Sequence, residues 1–289
     1  MRTLYQNRTM ATIKFTKMHG AGNDYIYVDA QQYDIPDPAA AAVKWSRPHF
    51  GVGSDGLILI GASEVADFRM RMYNNDGSEG MMCGNGVRCI GKFVYDKGLT
   101  RSKTVSVETR AGIKILQLQT DANDRVTGAT VDMGEPILSN KEQLATADGR
   151  MTAGRVEANG KNYTGTFVSM GNPHFVIFVD DIGAIDLAGE GPALECHPLF
   201  PQKCNIEFAE VRENGIIRTR VWERGTGITM ACGTGACATA VAAKLNGRSN
   251  GQSIIAMDGG DLTIEWRVTD NHIYMTGPAA TAFEGEIEL

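Results

Sequence analysis

One eighteen-residue pattern occurs twice in this chain. R-M-R-M-Y-N-N-D-G-S-E-G-M-M-C-G-N-G, from Arg69 to Gly86, aligns without a gap on R-T-R-V-W-E-R-G-T-G-I-T-M-A-C-G-T-G, from Arg218 to Gly235, 149 positions later. Six of the eighteen positions are identical, and both copies end in Cys-Gly-x-Gly. The offset is about half of the 289 residues, so the pattern implies two related halves, each presenting one cysteine, Cys83 or Cys232, in the same setting. Matched thiols suit one chemistry above others: taking a proton from one face of a carbon and returning one to the opposite face.

Hydrophobic periodicity gives each half the same local plan. D-F-R-M-R-M-Y alternates, with Phe68, Met70 and Met72 on one face and Arg69 and Arg71 on the other, as a half-buried strand does. I-R-T-R-V-W-E repeats this from Ile217. A Gly-rich turn, Cys-Gly-x-Gly and a helical stretch follow each strand; the helices stop at Gly98 and Gly247, glycine being the usual residue just past a helix end. Short strands come next: T-V-S-V-E and I-K-I-L-Q-L in the first half, S-I-I-A-M and L-T-I-E-W-R-V in the second. The expected class is α/β (α+β), with each half a curled, mostly antiparallel sheet around a central helix.

The first backbone N–H groups of a helix lack internal partners and, with the macrodipole, favour negative charge. A cysteine there is expected to have its thiolate stabilised, with pKa values of about 3.5–7.5 known in such places against about 8.5 for a free thiol. A lone cysteine starting a helix is more often a small buried hydrophobe. Duplication in a Gly-rich setting shifts the reading to function. Cys89 and Cys237, one to two turns further on, read as core, and Cys196 and Cys204 as incidental. Intervals of six and five residues within each cluster, and no Cys-x-x-Cys, argue against zinc. Cys-Gly-x-Gly matches neither the P-loop nor the dinucleotide fingerprint.

A net charge of -6 with scattered Lys and Arg leaves no footprint for nucleic acid, and apolar runs such as Leu57 to Ile60 are far too short to span a membrane. The first dozen residues lack the apolar centre of a signal peptide and read as a disordered extension, or as lying upstream of a start at Met10. Without an export signal, the six cysteines read as reduced thiols in a cytoplasm.

From about Ile13 onward the chain resembles the diaminopimelate epimerases. The resemblance rests on K-M-H-G-A-G-N-D (Lys17 to Asp24), Y-N-N-D-G-S-E (Tyr73 to Glu79), C-G-N-G-V-R-C (Cys83 to Cys89), S-M-G-N-P-H (Ser169 to His174), H-P-L-F-P (His197 to Pro201) and E-R-G-T-G-I-T-M-A-C-G-T-G-A-C (Glu223 to Cys237). It implies two pseudo-symmetric domains, residues 12–130 plus 278–289 and residues 131–277, with a cleft between them. The implied reaction converts LL-2,6-diaminopimelate to the meso form without cofactor or metal, for lysine and peptidoglycan precursor synthesis. Cys83 would donate and Cys232 accept a proton in that direction. His174 and Glu223 would set which thiol is ionised. Gly84, Asn85, Gly233 and Thr234 would supply backbone N–H donors, and Asn23 would sit by the reacting amino group. Asn74, Asn172, Asn205 and Arg224 would hold the distal carboxylate, with Glu223 on the distal ammonium. A homodimer is common in the family.

Two departures stand out. Gly56 occupies a position where many relatives carry Gln, and Cys204 stands where Thr or a similar residue is usual. A proline or hydroxyproline racemase would keep both cysteines but would not need Arg224 and the asparagine set. A dithiol redox protein would use Cys83 and Cys232 as a reversible disulfide, a pairing that could also inactivate the epimerase.

Overall fold

A computed structural model describes residues 12–289. The expected N-terminal extension lies outside the described residues. Four α-helices, α1 (Pro38–Ser46), α2 (Gly84–Asp96), α3 (Leu187–Glu195) and α4 (Gly233–Leu245), accompany 17 strands joined in one hydrogen-bonded network.

The repeated segments form matching strands, Phe68–Asn74 and Ile217–Glu223, both alternating between buried and more exposed residues. Their pairing repeats as well. Tyr25 faces Gly56 across a parallel pair in the first half, as His174 faces Asn205 in the second. Phe68 lies beside Val107 in a further parallel pair, and Ile217 beside Ile255. The remaining ladders in each half are antiparallel, so the curled sheets are mixed but mainly antiparallel. After strand Ile273–Pro278 the chain returns to the first half, where Ala280–Glu288 pairs with Thr12–Gly20.

The halves join strand to strand. Val131 follows in register from Leu116 as Met275 follows from Ile264, and Val131 pairs directly with Met275. Equivalent residues are therefore partners, which places the local twofold axis between them. Beside it the hydroxyls of Thr130 and Thr276 meet at 2.7 Å.

Helices α2 and α4, 13 residues each, are enclosed by these sheets. A helix hidden on nearly all sides needs small or apolar residues all round. In α4 these are Ala236, Ala238, Ala240, Ala242 and Ala243; in α2, Gly91 lets the Leu116 and Leu118 side chains lie against the backbone. Both helices start one turn earlier than the apolar pattern alone suggests, because Gly84 and Gly86, like Gly233 and Gly235, form the first turn. Gly84 and Gly233 both pack on the fully buried Met275 side chain.

Met275→Ala should lower unfolding free energy by about 2–5 kcal/mol, the usual cost of truncating a buried methionine. Urea denaturation measures it, and a loss under about 1 kcal/mol would show that the axis is not packed through this side chain.

Candidate active site

Each repeated cysteine is the N-cap of its enclosed helix. Cys83 (φ -124, ψ 119) and Cys232 (φ -124, ψ 111) are extended, and each sulfur accepts the N–H three residues on, Gly86 at 3.3 Å and Gly235 at 3.4 Å. The two N-termini meet: a Cβ on Gly233 would lie only 3.8 Å from the Gly84 Cα. Two positive helix ends thus converge on one place, which suits an anion.

The surroundings of the two sulfurs are equivalent in position and different in chemistry. At the 149-residue offset Asn23 corresponds to Asn172, Tyr25 to His174, Gly56 to Asn205, and Ile58 to Glu207. Asn74 corresponds to Glu223, Asn75 to Arg224, Asn85 to Thr234, and Arg88 to Cys237.

In the first half the Cys83 thiol donates to Asn23 Oδ1 at 3.1 Å, and Asn85 Nδ2 donates to the same oxygen at 3.4 Å. The Asn23 amide is held in that sense because its Nδ2 donates to Asp55 Oδ2 at 2.6 Å, an oxygen that also accepts the Asp24 N–H. The fully buried Arg88 guanidinium donates to Asn85 Oδ1 at 2.9 Å, to Gly84 O at 3.3 Å and to Pro278 O at 3.2 Å. It braces the first turn of α2 against the chain's return to the first half.

In the second half His174 Nδ1 and Glu207 Oε1 are 2.7 Å apart, both side chains without solvent exposure. His174 Nε2 is 3.2 Å from Asn172 Oδ1; Asn172 Nδ2 donates to Thr234 Oγ1 at 3.3 Å; Thr234 Oγ1 lies 3.5 Å from the Cys232 sulfur. Glu223 accepts from the Thr229 hydroxyl. Asn205 is occupied by backbone: its Nδ2 donates to Pro173 O at 2.7 Å and its Oδ1 accepts the Arg224 N–H at 2.9 Å. The Arg224 guanidinium is exposed and donates to Gln202 O at 2.8 Å.

A cavity of about 590 Å³ lies between the halves, lined by Asn23, Asn74 and Glu223 together with Tyr25, Asp55, Asn75, Asp76, Thr226, Thr229 and Met230. Of the residues expected from sequence, these first three form its wall. Cys83 and Asn85 sit behind Asn23, while Cys232, His174, Asn172 and Thr234 form a connected group of their own. Asn205 and Arg224 touch backbone rather than the cavity. Tyr25, Asp55, Arg88 and Glu207 were not picked out by sequence reasoning. For Glu207 a signal existed: the apolar Ile58 has an acidic counterpart. At Gly56 a Cβ would lie 2.0 Å from Tyr73 O and 3.0 Å from Tyr25 Cε1, so the Tyr25 ring and the neighbouring backbone close the space a longer side chain would need.

The expected lowering of the thiols is reversed. Burial pushes Cys83 above the ordinary thiol value, against the pull of the Gly86 and Asn85 N–H groups and of Arg88. Burial raises Cys232 well above it, and the carboxylates of Glu223 and Glu207 add to that rise, opposed by Thr234 and Gly235. Desolvation outweighs two or three N–H donors when water is excluded. Burial likewise raises Asp55 and Glu223 above the usual carboxylate range. Cys89 and Cys237, buried deeper in the helices, are pushed to about 11 and about 12 and remain neutral core thiols, while Cys204 is buried as well and Cys196 is exposed. All six cysteines are free. Among the described residues no three His, Cys, Asp or Glu side chains gather as a metal site, and no helix is long and apolar enough to cross a membrane.

Residues 15–139 and 166–282 match the family described as diaminopimelate epimerase. The diaminopimelate epimerase of Phocaeicola vulgatus is 61% identical over 278 residues, covering 96% of this chain and 99% of its own length. Those of Acetivibrio thermocellus and Methanococcus maripaludis are each 51% identical, covering 96% of this chain and 99% and 100% of their own lengths. Among solved structures, a phenazine biosynthesis protein of the PhzF family from Bacillus anthracis shares the fold, with TM-score 0.71, 19% identity, and coverage of 97% of this chain and 100% of that one. A hydroxyproline epimerase from Agrobacterium vitis, with trans-4-hydroxy-L-proline bound, gives TM-score 0.70, 14% identity, and coverage of 96% and 93%.

Asp55→Ala should free the Asn23 amide to turn its NH₂ toward sulfur, removing an acceptor that favours the Cys83 thiol. Alkylation of Cys83 by iodoacetamide at pH 7.5 should then speed up at least about threefold, a shift of about half a pKa unit, while Cys232 is unaffected. Unchanged Cys83 alkylation in Asp55→Ala would show that Asp55 does not control that amide.

Proposed function

The chain belongs to the diaminopimelate epimerase family, and we propose that it inverts one α-carbon of LL-2,6-diaminopimelate by a two-base thiol/thiolate mechanism, supplying the meso form for lysine and peptidoglycan precursor synthesis. The reading also takes the enzyme to be a cytoplasmic homodimer that needs no cofactor. One observation carries the mechanism: two cysteines at equivalent positions cap two helices whose N-termini converge.

The α-hydrogen of an amino acid is very weakly acidic, so the developing negative charge needs stabilisation where it forms. With the reacting carboxylate between the helix ends, the N–H groups of Gly84, Asn85, Gly233 and Thr234 would meet that charge, and losing one such donor typically lowers rate by about 10²–10³. Cys232 as thiolate takes the α-proton and Cys83 as thiol delivers one to the far face; the reverse direction exchanges the roles. Asn23, already bonded to the Cys83 thiol, accepts from the reacting ammonium. The distal end lies toward Asn74 and Glu223 in the cavity wall, with Glu223 on the distal ammonium. Arg224 would exchange Gln202 O for the distal carboxylate, whose two oxygens its planar fork can bind. Asn205 contributes through the backbone it fixes, and Asn172 through its bonds to His174 and Thr234. Closure of the cleft on substrate excludes water and strengthens each of these contacts.

Reduced enzyme in deuterated water should place deuterium at the α-carbon of LL-diaminopimelate and invert it without pyridoxal phosphate or metal. Exchange of proline in place of diaminopimelate would overturn the substrate reading. Cys83→Ala and Cys232→Ala should each abolish epimerisation with the melting transition retained, and near-normal turnover in either rules out two bases.

The raised Glu223 carboxyl gives a signature in pH. Below its value Glu223 is neutral and holds an ammonium poorly, so kcat/KM should fall on acidification from a point above the ordinary carboxylate range. Glu223→Gln should lower kcat/KM and remove that limb; an unchanged limb in the variant assigns it to another group.

A further inference from the structure

The amides around the two sulfurs point in opposite senses. Cys83 donates to an amide oxygen, the arrangement of a protonated thiol. On the equivalent side the partners run from His174 Nε2 to Asn172 Oδ1, from Asn172 Nδ2 to Thr234 Oγ1, and from Thr234 Oγ1 to the Cys232 sulfur. Asn172 turns Oδ1 to the imidazole and Nδ2 to the Thr234 hydroxyl, and an amide oxygen can only accept. His174 must then donate from Nε2. It also meets the Glu207 carboxylate at Nδ1, so both ring nitrogens face acceptors, which is the requirement of an imidazolium. Thr234, with its oxygen accepting from Asn172, is left to donate its hydrogen to sulfur.

Glu207 anchors this series. It has no solvent exposure, its Oε2 has no hydrogen-bond partner, and its Oε1 lies 2.7 Å from where a Gly235 Cβ would stand, under the first turn of α4. The corresponding place under α2 is filled by Ile58, whose Cδ1 lies 2.7 Å from an equivalent Cβ on Gly86. A carboxylate buried where its counterpart is a methyl group is costly unless a cation compensates it. The His174 ring, with Nδ1 2.7 Å from Oε1, is placed to supply one.

We propose that Glu207 is a positioning residue of the epimerase, holding His174 as an imidazolium that heads a hydrogen-bond series through Asn172 and Thr234 to Cys232, so that Cys232 and not Cys83 carries the thiolate. The proton lost by Cys232 resides on His174, and the pair Glu207–His174 is then neutral beside the sulfur. The amide of Asn172 aligns the donors and carries no proton itself. The charged and titratable groups facing the pair are Cys232 on α4, Glu223 on the neighbouring strand and Cys204 beside Asn205. Without the imidazolium, Glu207 and Glu223 together oppose ionisation of Cys232. The geometry therefore makes ionisation of the sulfur and protonation of the histidine one event.

This inference rests on the two-base reading, and its test separates the two. In full-length, ring-¹⁵N-labelled protein at pH 7.5, His174 should show two protonated ring nitrogens, and one in Glu207→Gln. Iodoacetamide with peptide mapping should modify Cys232 faster than Cys83 in the wild type. In Glu207→Gln the Cys232 rate should drop about tenfold, equivalent to about one pKa unit, with Cys83 unchanged. Turnover should fall about tenfold in kcat with little change in KM, and Glu207→Asp should recover part of it. A neutral His174 in the wild type overturns the proposal, even if Glu207→Gln does not fold. So does faster alkylation of Cys232 in Glu207→Gln, which would make the carboxylate merely a repelling charge. Failure to turn over diaminopimelate with these NMR and alkylation results intact would count against the substrate reading and leave the role of Glu207 standing.

Discussion

Everything at the centre of this protein depends on two helix N-termini brought face to face. Like ends of two dipoles repel, and nothing polar in the side chains of Gly84 or Gly233 relieves it, since neither has one. The arrangement holds because Met275 packs under both glycines, because Arg88 ties the first turn of α2 to the carbonyl of Pro278, and because the helices are enclosed by sheets that close along a shared seam. The core enforces the convergence, and the unmet N–H groups are what an anionic ligand would satisfy.

Symmetry of backbone and asymmetry of chemistry divide the labour. Strand register, cap geometry and the cysteine positions repeat almost residue for residue. The side chains within reach of each sulfur do not: Asn23, Asp55, Arg88 and Tyr25 attend Cys83, while Asn172, His174, Glu207 and Thr234 attend Cys232. At the 149-residue offset Asn74 has Glu223 as its counterpart and Asn75 has Arg224; on the proposed reading, a substrate with two chemically alike ends would be bound in a fixed sense through these differences.

Much of this plan was legible in the chain before any coordinates. The repeat located both cysteines and both enclosed helices, and alternation located the strands leading to them. What was not legible depended on distant neighbours. Helix-start cysteines were expected to be acidic, but the degree of burial that overrides the N–H donors comes from sheets remote in sequence. The sense of an amide is likewise set by its partners: Asn23 and Asn172 are equivalent by position, yet Asp55 turns the first, while the second lies between the His174 ring and the Thr234 hydroxyl. Asn205 and Arg224 read as polar groups free for ligand and are engaged with backbone: Asn205 with Pro173 O and the Arg224 N–H, and the Arg224 guanidinium with Gln202 O in the loop after Phe200. Gly56 reads as a lost contact, whereas the space beside it is closed by Tyr25 and Tyr73.

The pairing of Val131 with Met275 has an evolutionary consequence. A seam centred on one equivalent pair, with Thr130 facing Thr276 on one side as Tyr274 faces Asp132 on the other, is isologous, the kind formed when two copies of one chain associate about a twofold axis. Two identical half-length chains could close along this strand without any new contact being devised, but they would present two identical sulfurs in identical surroundings. Such an assembly has no means of fixing which sulfur keeps the proton. A single chain carries no such restriction: with each copy encoded separately Ile58 and Glu207 differ, and the two sulfurs meet unlike surroundings.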